Sequence, residues 1–129
     1  MTQSREQERA ITAHAQVSKV PDRDWDKYRT ATLKAQALIR NGGLCQAVHF
    51  LQNKDKEGGA RILVAHLQQH LREGNAISDG DFLERVRRAE LPEYLTATRE
   101  ALQCLVWQCR MVESPKAEKE TDLKKSGGR

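Results

Sequence analysis

The chain of 129 residues, 38% of them apolar, suits one domain with a modest core and is short for two. Charged residues make up 31% and the formal net charge is +4, a balance that permits an acidic partner such as nucleic acid without requiring one. The first twenty residues lack the apolar run of a signal peptide, and no stretch approaches the roughly 18 apolar residues of a membrane span, so a cytoplasmic protein with no membrane contact is expected.

Residues from about Ser4 to Lys19 carry Ala10, Ile11, Ala13, Ala15 and Val17 between charges. This predicts a first helix with a weak apolar face, ended by Pro21. Asp22 or Asp24 can cap a second helix, in which Trp25, Tyr28, Thr32, Ala35 and Ile39 recur at spacings of three and four. Asn41-Gly42-Gly43 is the clearest break, because Asn and Gly readily take the left-handed conformation that closes a helix. A short helix follows, with Leu44, Ala47, Val48 and Leu51 on one face and Phe50 beside them, then a polar turn over 53–56. Gly58 and Gly59 obscure the start of the next helix, but Ala60, Leu63, Val64, Leu67 and Leu71 define its body and Gly74-Asn75 its end. Ser78-Asp79-Gly80-Asp81 resembles a capping box with Asp in place of Glu. It would start a short helix burying Phe82 or Leu83, Val86 and Ala89.

The last long stretch, Leu91–Val112, places Leu95, Thr98, Leu102, Leu105, Cys109 and Val112 in one helical stripe, with Pro92 harmless near its start. Leu102→Ala is therefore expected to cost roughly 2–5 kcal/mol as a core truncation. Trp107 points away from that stripe and is expected to pack under another helix or to meet a neighbouring subunit. Residues 113–129 are mixed in charge and nearly devoid of large apolar groups, which predicts a disordered tail. That tail holds five basic and four acidic residues, leaving the helical domain over 1–112 at +3. The fold expected is all-α, a single-domain bundle of five to six helices.

Chemistry has little purchase on these residues. Cys45, Cys104 and Cys109 have no metal-ligand spacing and lie in apolar contexts, as buried reduced thiols would. His66, His70 and Glu73, at i, i+4 and i+7, could present three metal ligands, but no HExxH motif accompanies them. Exposed histidines on a polar helix face explain the pattern equally well. No phosphate loop or acid/base pair stands out, so neither an enzyme, a cofactor nor a metal is expected. Cations offer more. Arg99 and Arg110 share a flank of the last helix, and Arg40, Lys54, Lys56, Arg61, Arg85 and Arg88 are further candidates for a surface that grips phosphates without reading bases.

Two segments together resemble a known family. YRTATLKAQALIRNGGLCQAVHFL (28–51) and AELPEYLTATREALQCLVWQCRM (89–111) are similar to the small subunit of the type III-B CRISPR RNA-guided effector, the Cmr complex. The similarity lies in the Tyr28-Arg29 start, Gly43-Leu44 closing on Phe50-Leu51, the Lys54/Lys56 turn, and Tyr94-Leu95, Thr98-Arg99-Glu100, Trp107 and Arg110. Where the family often has a proline before the Gly-Leu pair, this chain has Ala35-Gln36. The resemblance implies a non-catalytic helical subunit, stacked in several copies beside a backbone of other subunits. It would steady guide RNA on target RNA, base pairing reading sequence while protein reads shape and charge. Arg40, Lys54, Arg61, Arg85, Arg88, Arg99 and Arg110 would be the RNA contacts, although Arg99 and Arg110 could instead form ion pairs with Glu100 as a structural partner. The competing reading is a free-standing helical adaptor that binds one protein and no RNA.

Overall fold

The computed structural model describes residues 3–54 and 58–113. Lys56 and all but the first residue of the expected disordered tail lie outside the described residues. Five helices carry the described chain: α1 (Arg5–Ser18), α2 (Trp25–Lys54), α3 (Gly59–Glu73), α4 (Phe82–Arg88) and α5 (Leu91–Val112). The described residues form no strand, and the fold is a single-domain all-α bundle.

Local chemistry sets most helix ends. Ser4 opens α1 with a capping box, its Oγ accepting from the Gln7 N–H at 3.1 Å and its own N–H donating to Gln7 Oε1 at 2.8 Å. Pro21 begins a 3₁₀ turn, Asp22–Asp24, that leads into α2. The break expected at Asn41-Gly42-Gly43 narrows to a single residue. Gly43 alone leaves helical geometry, with φ 88° and ψ 161°, and the chain resumes helix at once as the second part of α2. Only glycine takes that conformation freely. At α4 the cap is Asp81 itself, its carboxylate accepting from the Glu84 N–H at 3.0 Å. Ser78, which the sequence offered as the cap, instead donates its N–H and hydroxyl to Glu93 at 2.9 and 2.6 Å and so ties the loop to α5.

α2 packs along both α3 and α5, and α1 lies across α5 and α3. The α2 and α3 stripes are buried as their spacing predicts: Tyr28, Thr32, Ala35, Ile39, Leu44, Val48 and Leu51 from one, Ala60, Leu63, Val64, Leu67 and Leu71 from the other. Each fully buried leucine contributes roughly 1.5–3 kcal/mol.

α5 differs. Its buried face is Ala97, Ala101, Cys104, Leu105, Gln108 and Val112, while Leu95 is 51% exposed and Leu102 only partly buried. Leu105 and Val112 of the predicted stripe are buried, but the centre of the buried face is turned by roughly 80° from the centre of that stripe. Small residues at 97 and 101 face inward and let the neighbours approach, so bulk leucines are left outside. Leu102→Ala is accordingly expected to cost only about 1–2 kcal/mol, below the range for a fully buried leucine, as a denaturant midpoint would show.

Candidate nucleic-acid interface

The candidate cations do not form one surface. Arg40, Lys54, Arg61, Arg88, Arg99 and Arg110 are exposed and Arg85 is half-buried. Arg99 and Arg110 share one flank of α5, about 16 Å apart along the axis. The Arg110 guanidinium lies 5.5 Å from the centre of the half-buried Trp107 ring, a cation–π contact. α2 and α5 run antiparallel, with Gln36 donating to the Leu102 carbonyl at 3.1 Å and the Cys45 N–H donating to the Tyr94 hydroxyl at 3.0 Å. That register carries Arg40 to the level of Arg99. Neither arginine forms an ion pair with a described residue.

A second group gathers where the end of α2 meets α4. Lys54 and Arg87 both line an open groove of about 710 Å³. Arg61 is tethered nearby, its Nε donating to the Gln52 carbonyl at 2.9 Å. The sequence spacing pairs Arg87 with Glu84, but the run Arg85-Val86-Arg87-Arg88 does not tell which arginines that carboxylate reaches. Arg85 and Arg88 approach Glu84 at 3.6 and 3.9 Å, whereas Arg87 binds His49 Nε2 at 3.0 Å. A guanidinium only donates, so that histidine nitrogen is the bare one, and the proton sits on Nδ1, facing the Cys45 carbonyl at 2.8 Å.

The conspicuous residues of the two resembling segments meet in space. Gly43 breaks the helix ladder, and Tyr94 fills the gap by accepting the Cys45 N–H; a Cβ on Gly43 would stand 3.0 Å from the Tyr94 oxygen. Glu100 is a structural partner, but of α1 rather than of Arg99 or Arg110. Arg9 binds both its oxygens at 2.8 Å and Arg5 adds a contact of 2.7 Å. Burial opposes charge on Glu100, but hydrogen bonds from Arg9, Cys104 and Arg5 prevail and hold it down to about 2.

The residues of the possible metal set are engaged elsewhere. His66 Nδ1 meets the Tyr28 hydroxyl at 2.7 Å, Gln108 donates to that hydroxyl at 2.7 Å, and Gln108 Oε1 meets His70 Nε2 at 2.8 Å. Contrary to the expectation of exposed histidines, His70 is fully buried in this chain of hydrogen bonds. Glu73 instead receives Thr12 at 2.8 Å and Arg5 at 3.2 Å. Of the three free thiols only Cys104 is fully buried; Cys45 and Cys109 are half-buried. Burial pushes the Cys104 and Cys109 thiols up, away from the reactive thiolate.

Comparison with known proteins then decides the family. The family model described as "CRISPR-associated protein (Cas_Cmr5)" matches residues 5–115. The chain belongs to the Cmr5 family. One curated relative, the CRISPR system Cmr subunit Cmr5 of Thermus thermophilus, is 34% identical over 88 residues, 68% of this chain and 74% of that protein. The crystal structure of a CRISPR-associated Cmr5 family protein from the same organism superposes with a TM-score of 0.68 at 30% identity, covering 86% of this chain and 96% of that one. The Cmr5 match starts at Arg5, so it takes in α1, which lies outside the two resembling segments. α1 supplies the arginines that hold Glu100.

Proposed function

We propose that this chain is a non-catalytic small subunit of a Cmr CRISPR ribonucleoprotein effector. The family match over 5–115 carries this reading, because it spans every described helix. In the proposed role, copies of the chain stack beside the backbone subunits in the cytoplasm and steady the pairing of guide RNA with target RNA. Arg40, Lys54, Arg61, Arg99 and Arg110 bind phosphates, joined by Arg87. Arg85 and Arg88 contribute less, since both approach the Glu84 carboxylate. The support for phosphate binding is the exposure of Arg40, Arg99 and Arg110 without a carboxylate partner among the described residues. An exposed cation left unpaired by its own fold is available to an anionic backbone.

A gentle pull-down from the native host tests the assignment. Co-purification of the other Cmr subunits with small RNAs sharing a common 5′ end is expected. A single protein partner and no RNA would favour the adaptor reading. Charge reversal at Arg99 or Arg110 is expected to weaken RNA retention and to reduce the steepness of its salt dependence by about one unit of slope per lost phosphate contact. The melting temperature should stay within a degree or two, as exposed substitutions away from the core rarely exceed about 0.5 kcal/mol. A large drop in melting temperature would mean that the arginine holds the fold instead.

A further inference from the structure

The groove between the second part of α2 and α4 has a feature that phosphate binding does not use. Phe50 is 50% exposed, a large ring left outside a core that had room for Leu51 beside it. It walls the 710 Å³ groove on one side and a second hollow, lined by Leu38, Asn41 and Ala47, on the other. The Lys54 ammonium stands 6.0 Å from the ring centre. Across the groove, His49 holds the Arg87 guanidinium in place through the 3.0 Å contact. Gln46 and Asn53 add amide groups that can donate and accept, and no carboxylate is among the described residues lining the groove. A flat apolar face, two cations and neutral amides together match one kind of ligand: a nucleotide with its base out of the stack.

We propose that this groove takes an unpaired nucleobase of a bound RNA strand, stacked on Phe50, with Lys54 and Arg87 on the adjoining phosphates and Gln46 or Asn53 at the base edge. This rests on the RNA-binding reading above and adds to it a site for a base rather than for backbone alone. Stacking tolerates any base, because every base has a π-face. The groove therefore contributes affinity for single-stranded or splayed nucleotides without adding sequence preference.

The test compares the chain and its Phe50→Ala and Phe50→Trp variants for binding to an oligouridylate of about ten nucleotides, a length within the range of single-strand sites, and to an abasic strand of equal length, at low salt. Phe50→Ala is expected to weaken oligouridylate binding about tenfold and to leave the abasic strand unaffected, while Phe50→Trp keeps or improves the affinity. Lys54→Ala with Arg87→Ala should weaken both strands. Equal loss on both strands, or no loss on either, overturns the stacking site while leaving phosphate binding intact. Unchanged RNA binding with impaired co-purification of the other Cmr subunits would make Phe50 a protein contact and also overturn it. Failure of the unaltered chain to retain either strand overturns the RNA reading itself, and the base site with it. The exposed ring makes unfolding an unsuitable explanation for a loss, and equal melting temperatures of the three proteins check this directly.

Discussion

Gly59→Ala is expected to destabilise the domain by about 3 kcal/mol, at the upper end of what overpacking costs. A Cβ at this position would overlap the Tyr28 backbone nitrogen and stand 2.5 Å from Tyr28 Cα and 2.7 Å from the Asp24 carbonyl oxygen. All three are main-chain atoms, so no side chain can swing aside. The start of α3 would have to retreat from α2, loosening the helix pair that packs most extensively in the fold. That retreat also strains the 2.7 Å contact between Tyr28 and His66, which bridges the same two helices. For a domain of this size the loss corresponds to a melting temperature lower by roughly 10 °C. Gly42→Ala is the control. There the new methyl meets only the Gln46 side chain, which can rotate away, and alanine is the better helix former by about 1 kcal/mol. A neutral or slightly stabilising result at Gly42 beside a large loss at Gly59 is the expected pair. Equal, small effects at both would show that α3 can shift without cost.

Glu100→Gln is expected to cost about 2–3 kcal/mol near neutral pH. Its carboxylate is 12% exposed and faces two guanidiniums, Arg9 at 14% and Arg5 at 26% exposed. Without that charge Arg9 loses its carboxylate partner among the described residues, while Arg5 keeps Glu73 and Glu8. The same pairing links stability to pH. Glu100 is held from 4.5 down to about 2, so its contribution is complete above about pH 4.5 and disappears as pH falls toward 2. The histidines act earlier. Burial, with the neighbouring His70, holds His66 from 6.5 down to about 4, so the fold resists its protonation and stability declines as pH drops from 6.5 toward 4. Thermal melts over pH should thus fall in two successive windows. Glu100→Gln should flatten the lower window alone, its melting temperature converging with that of the unaltered chain near pH 2. A gap that stays constant across pH would remove the carboxylate's charge as the cause.

Helix content, boundaries near Ser4 and Pro21, and the buried stripes of α2 and α3 were legible because they depend on spacing within a few turns. Tyr28, Thr32, Ala35 and Ile39, or Leu63, Leu67 and Leu71, point one way whatever surrounds them. The resembling segments were legible for the same reason, as ordered local patterns. α5 was not. It carries leucine, valine or alanine on most of its circumference, so periodicity alone could not set its rotation. That phase is decided by partners from afar: Gln108 turned inward to Tyr28 and His70, and Cys104 and Glu100 turned toward α1. Glycine carries no label for its role either. Gly43 is needed for its backbone angle, Gly59 for the main chain lying against it, and Gly42 for neither. Among the cations, sequence supplied the charges but not their pairing. Arg5 and Arg9 are bound to a carboxylate more than ninety positions away, whereas Arg87 is left facing Phe50 and Lys54 across an open groove. Periodicity along a helix is a local property, readable from the chain alone. Which face is covered, which charge is neutralised and which ring stays outside depend on contacts between distant segments, and only tertiary packing decides them.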